Sequence, residues 1–160
     1  MDEALEVRVG RVLRERRLTV ATAESCTGGL IGHRITEAPG SSDYYVGSIV
    51  AYSNEVKMAM LDVSRDTLAQ HGAVSRAVAR EMARGARAAL AVDLALSVTG
   101  IAGPSGGTAE KPVGLTYVGL AAPDGEWVER HVWPADRHGN KIRSAEAALD
   151  LLQRYLAGEL

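Results

Sequence analysis

The chain has 160 residues, 46% of them hydrophobic and 24% charged, with 18 Lys and Arg against 20 Asp and Glu for a formal net charge of −2. At ~100–200 residues per domain this length points to one compact domain, expected to take in all of 1–160, and the balanced charge supplies no basic field to hold a nucleic acid. A single cysteine, no apolar run near the ~20 residues of a bilayer span, and an N-terminus without the basic and apolar regions of a secretion signal make the expected setting reducing, cytoplasmic and free of membranes.

Leu5, Val9, Val12 and Leu13 recur at helical spacing and predict an amphipathic helix over about 3–17. Residues 18–23 read as a short buried strand, Gly28-Gly29 as a tight turn, and Leu30, Ile31 and Ile35 as the apolar face of a second helix. Residues 38–43 read as a loop and 45–53 as a second strand, after which Asn54 is expected to cap a helix with Val56, Met58 and Leu61, Lys57 lying in its first turn. Ser75 is the expected N-cap of a helix to about Leu90, with Val78, Met82, Ala86 and Ala89 on one face and Gly85 allowing close packing.

A third strand is predicted over 94–99, followed by the structureless Gly-rich stretch 100–112, a length that in a compact domain goes with function or mobility. Segments 113–121 and 127–133, joined by Pro123-Asp124-Gly125, predict a hairpin, and Ile142, Ala145, Leu149, Leu152 and Leu156 a final helix over about 140–156. Helices separated by single strands require crossovers, whereas the hairpin requires an antiparallel pair. The expected fold class is therefore α/β, a three-layer α/β/α arrangement whose mixed, mostly parallel sheet ends in an antiparallel hairpin.

Residues 23–29, 50–57 and 98–103 concentrate small, hydroxylic and glycine residues at the ends of predicted strands, the place where open α/β sheets bind ligands. Ordinary turn and cap chemistry is the alternative for each alone. Ser25, on a strand-to-helix turn, is the first candidate nucleophile, with the N–H groups of Cys26, Thr27 and Gly28 available to an oxyanion; otherwise it only caps the helix. Cys26 has no basic partner in view and reads better as a small buried residue.

His33, His71, His131 and His138 show no triad or metal spacing, which leaves Lys57 as the candidate base. Moving a lysine from ~10.4 to ~7 requires ~4.6 kcal/mol of destabilisation of its ammonium, hence a desolvated pocket; a solvated helix lysine is the commoner role. Ser53, four residues before Lys57, is the second candidate nucleophile, and Tyr52 either joins the proton-transfer network or is a half-buried strand residue. The 100–112 loop carries neither a P-loop nor a dinucleotide fingerprint, though its glycines permit close approach to a phosphate or ribose, and Arg137 with Lys141 offers positive charge to an anionic substrate. No carboxylate cluster proposes a divalent metal.

Taken together, Ala23-Glu24-Ser25-Cys26-Thr27-Gly28-Gly29, Pro39-Gly40-Ser41-Ser42, Tyr52-Ser53-Asn54-Glu55-Val56-Lys57, Gly72-Ala73-Val74-Ser75, Thr99-Gly100-Ile101-Ala102-Gly103-Pro104 and Lys111-Pro112-Val113-Gly114 resemble the C-terminal domain of the competence/damage-inducible protein CinA, the nicotinamide-nucleotide amidohydrolase family. The likeness runs from about residue 18 to the end, and one departure is Ser48, where many relatives have glycine, a change expected to alter the local pocket contour. The resemblance implies hydrolysis of the carboxamide of nicotinamide mononucleotide to nicotinate mononucleotide and ammonia, without metal or organic cofactor, and a stand-alone form lacking the N-terminal pyrophosphatase domain of some members.

On this reading Ser25, Lys57 and Tyr52 are the expected catalytic residues, and substrate contacts are expected from Cys26, Thr27, Gly28, Gly29, Ser42, Ser53, Thr99, Gly100 and Gly103, with Arg137 added for its charge. A small nucleotide is the expected partner, with a homo-oligomer, a dimer first, as the expected assembly. Two other readings stay open: a non-catalytic nucleotide sensor, and an interaction module in DNA uptake or repair, which rests on the family's name and against which the net charge argues.

Overall fold

The computed structural model describes residues 2–160. The elements are α1 (Leu5–Arg16), β1 (Val20–Glu24), α2 (Leu30–Glu37), a 3-10 turn at Ser41–Asp43, β2 (Tyr45–Val50), α3 (Asn54–Leu61), α4 (Arg65–His71), α5 (Arg76–Ala89), β3 (Leu94–Gly100), β4 (Leu115–Ala122), β5 (Gly125–Val132) and α6 (Arg137–Leu156). One sheet runs in the order β2-β1-β3-β4-β5, parallel across β2, β1 and β3 and antiparallel from there to the edge. The expected three-layer α/β/α fold is present, with the ladders divided evenly between the two directions.

Period-two alternation divides the strands between two cores. Val20 on β1 and Leu94, Leu96 and Val98 on β3 pack with α1, α2 and α6, while Ala21, Ala23 and Ala95 face Leu61, Val78, Met82 and Ala86 on the other side. With no Phe to fill space, the second core relies on close backbone approach. A Cβ on Gly85 would stand 1.8 Å from the Leu61 carbonyl oxygen, so glycine is what lets α5 lie against the end of α3.

Several boundaries differ from the sequence reading. Ser53, not Asn54, caps α3, its Oγ accepting from Val56 N–H at 3.1 Å. Helix α4 was not anticipated, since none of its residues is buried; the Ser64 side chain caps it. Helix α6 begins at Arg137 because Asp136 caps it, its Oδ1 accepting from Gly139 N–H at 2.8 Å, which brings Arg137 and Lys141 into the opening turns. Among the described residues no helix is long and apolar enough to cross a membrane.

Candidate active site

The carboxyl ends of β1 and β3 and the start of α3 meet at one cavity of about 200 Å³, lined by Ser25, Cys26, Tyr52, Lys57, Thr99 and Arg137 among others. Ser25 follows β1 directly and its N–H donates to Val98 O at 3.0 Å, which ties the Ser25 turn to β3. Lys57 is 1% exposed. Its Nζ lies 2.9 Å from Ser25 Oγ, 2.8 Å from Ala51 O and 3.0 Å from Tyr52 O, with no carboxylate among its partners. Burial lowers its pKa from the usual lysine value, partly opposed by Cys26.

The geometry suits a neutral amine. In the neutral form two N–H groups can meet the two carbonyl oxygens while the lone pair turns to the Ser25 hydroxyl; in the charged form all three oxygens accept from Nζ. Proton transfer from Oγ to Nζ is thereby arranged across one hydrogen bond. Cys26 does not compete as nucleophile, because burial pushes its thiol up to about 12.

Glu24, which the sequence reading left without a role, is fully buried and organises the turn. Its Oε1 accepts from Thr27 Oγ1 at 2.7 Å, Gly29 N–H at 3.1 Å and Ile31 N–H at 2.9 Å, and its Oε2 from Gly32 N–H at 3.0 Å and Thr22 Oγ1 at 2.9 Å. The carboxylate thus occupies the N-terminus of α2, so that end of the helix is not an anion site for a ligand. Gly28 N–H is likewise committed, to Ser25 O at 3.1 Å. Of the three anticipated oxyanion donors, only Cys26 and Thr27 N–H have no partner among the described residues.

The other anticipated residues divide by position. Thr99 and Gly100 line the cavity, with Thr99 Oγ1 donating to Ala73 O at 2.8 Å and a Cβ on Gly100 falling 3.1 Å from Cys26 Sγ. Arg137 donates to Gly103 O at 2.6 Å, and its other nitrogen lies 3.5 Å from the Tyr52 hydroxyl. Tyr52 is 65% exposed and reaches Lys57 through its carbonyl, its phenol making no bond with Ser25 or Lys57. Thr27 and Gly29 serve the Glu24 carboxylate, and Ser53 serves as helix cap and does not meet Nζ.

Ser42 is a correction. It sits in the 3-10 turn before β2, where Tyr44 O accepts from Val20 N–H at the opposite, amino end of β1, and lines no part of the cavity. Ser48 also stays off the cavity wall. Its Oγ contacts Thr22 Oγ1 and lies 2.5 Å from the Tyr45 hydroxyl, joining the polar chain that ends on Glu24.

Beyond Ala102 and Arg137 the site opens into a second cavity of about 640 Å³, lined by Pro104, Val113, His138 and Lys141. The buried Asn140 holds its floor, donating to Ala102 O at 2.9 Å and accepting from Ala135 N–H at 3.1 Å. Arg137 and Lys141 bring positive charge, beside Asp136, to a space larger than the one around Ser25.

Fold and site together define a three-layer α/β protein with a buried serine–lysine pair at the carboxyl ends of its parallel strands. The family profile described as CinA C-terminal domain matches residues 2–156, and the chain belongs to that family. It is 52% identical over 156 residues to a putative competence-damage inducible protein of Halothermothrix orenii and 51% identical over 156 residues to a CinA-like protein of Salinibacter ruber. These alignments take in 97% and 98% of this chain and 38% of each relative, so the chain spans well under half of their length. Among solved structures, a CinA superfamily protein from Klebsiella pneumoniae superposes with a TM-score of 0.93 at 31% identity, covering 96% of both chains. The competence/damage inducible protein CihA from Agrobacterium tumefaciens gives 0.86 at 38% identity, covering 98% of both.

Proposed function

We propose that the protein is an amidohydrolase that converts nicotinamide mononucleotide to nicotinate mononucleotide and ammonia. The observation that carries the reading is the 2.9 Å approach of a buried, carboxylate-free Lys57 amine to Ser25 Oγ. Nζ takes the hydroxyl proton as Oγ attacks the carboxamide carbon, forming a C–O bond and a tetrahedral oxyanion that the free N–H groups of Cys26 and Thr27 receive. Collapse of this intermediate breaks the C–N bond, and Lys57 returns the proton to the leaving nitrogen, which departs as ammonia. Water then attacks the acyl-serine with Lys57 again as base, releasing the carboxylate and restoring Ser25.

The two adjoining cavities divide the substrate. The space of about 200 Å³ at Ser25 receives the pyridine carboxamide, and the larger one beside Arg137 and Lys141 receives the ribose phosphate. The test is ammonia release from nicotinamide mononucleotide, nicotinamide riboside and NAD by the purified protein, with Ser25→Ala and Lys57→Ala as controls. Release from the mononucleotide that disappears in both variants supports the reading. Binding without release in the parent protein supports a nucleotide sensor instead.

A further inference from the structure

We propose that a second ligand site, for a phosphorylated planar heterocycle of the nucleoside 5′-phosphate class, lies between the first turns of α5 and the segment carrying Lys111. A cavity of about 440 Å³ opens there, lined by His71, Val74, Arg76, Arg80, Lys111 and Tyr117 among others. Arg76 and Arg80 stand one turn apart on α5, and Lys111 reaches the same space from the Gly-rich loop.

None of these three cations forms an ion pair among the described residues; the arginines that do are Arg11, Arg14, Arg34, Arg84 and Arg154. Glu126 lies near enough to Arg80 to feel its charge, but Arg84 holds both of its oxygens at 2.9 Å. Arg76 gives one donor to Val128 O at 2.6 Å and Lys111 Nζ one to His71 O at 2.5 Å, leaving further donors on each, while Arg80 makes no side-chain hydrogen bond. Three positive charges converging on one concave space repel one another, and a phosphate relieves that repulsion while matching the guanidinium forks.

The remaining wall is of a different kind. The Tyr117 ring, with the Arg76 guanidinium 5.9 Å from its centroid, and the apolar Val74 and Ala77 offer a flat, partly apolar surface to a planar ring. The volume is about twice that at Ser25, enough for a ring and a phosphate together. The site is distinct from the Arg137–Lys141 cavity and shares only Val74 with the catalytic one. Because Ala73, next in the chain, accepts from Thr99 in the catalytic wall, an occupant would press on the segment that bounds the reactive pair. The assignment stands independently of the amide chemistry.

The test is calorimetric titration of the full chain with ADP, and with ribose 5-phosphate and tripolyphosphate for comparison, in the parent protein, Arg80→Ser, Arg80→Ser/Lys111→Ser and Arg137→Ser. The expected result is one ADP per chain, an affinity lower by about tenfold or more in Arg80→Ser and lower again in the double variant, and little change in Arg137→Ser. ADP is expected to bind more tightly than ribose 5-phosphate, which has no ring. Melting curves confirm that the variants are folded. No binding at millimolar ADP, or loss in Arg137→Ser with retention in Arg80→Ser, would overturn the proposal, the latter placing ADP in the catalytic cleft. Tripolyphosphate binding as tightly as ADP would also overturn it, reducing the cavity to a bare cationic patch.

Discussion

Ser25 Oγ is the third partner of Lys57 Nζ, closing a shell whose other two members, the Ala51 and Tyr52 carbonyl oxygens, cannot take up a proton. The amine therefore has one group in its shell with which it can exchange a proton, and that group is the Ser25 hydroxyl.

The pH dependence follows from the lowered Lys57 pKa. With the neutral amine as the proposed base, kcat/KM for amide hydrolysis is expected to rise with pH through that lowered value and level off above it. Stability moves in the same direction. The unfolded chain keeps the proton up to the ordinary lysine range of ~10.4 while the folded chain has released it, so unfolding takes up a proton and stability climbs between the two values. Cys26 acts oppositely, since its folded thiol stays protonated from the usual 9.0 up to about 12, and its contribution falls through that window. Ammonia-release profiles and urea titrations from neutral to alkaline pH measure both effects; a flat rate profile would contradict a titrating lysine base.

Removing the Glu24 carboxylate strands the N–H groups of Gly29, Ile31 and Gly32 and the hydroxyls of Thr22 and Thr27. Each buried donor left without an acceptor costs ~1–3 kcal/mol, so Glu24→Ala is expected to lose at least ~3 kcal/mol in urea unfolding and to lower kcat by loosening the Ser25 turn. A variant as stable as the parent would mean that the turn holds itself.

Arg137 is expected to act on binding. Arg137→Leu should raise KM for nicotinamide mononucleotide by about tenfold or more with a smaller change in kcat, and should leave the riboside, which has no phosphate, nearly unaffected. Equal losses on both substrates would place the guanidinium at the reacting end instead.

Gly85→Ala tests the contact between α3 and α5. The added methyl meets the Leu61 carbonyl, a backbone atom, and the resulting separation of the helices is expected to cost ~1–3 kcal/mol, read as a lower Tm.

Hydrophobic periodicity made α1, α5 and α6 legible because each presents a buried stripe, and it passed over α4, which has no fully buried residue, only Leu68 partly buried against the second core, and is capped by Ser64. At the site, Ser25 and Lys57 were readable as a strand-end serine and a helix-start lysine, while their meeting across 32 residues depends on β1 pairing with β2. Glu24 was hidden because a carboxylate at a strand end reads as a surface residue until the chain is seen to fold back over it. Ser42 was misplaced for a topological reason: helix-to-strand connections lie at the amino ends of parallel strands, away from the ligand end.

The register of β1 on β2 sets Glu24 opposite Val50, and Ala51 N–H, one residue on, donates to Glu24 O at 2.8 Å. The same short stretch supplies both carbonyls around Lys57, so the shell exists only when the two strands are joined in that alignment. A nascent or partly folded chain carries an ordinary charged lysine and an unreactive serine. On the proposed mechanism the chemistry is thus latent until tertiary structure is complete, and a misfolded copy would be harmless to amides around it.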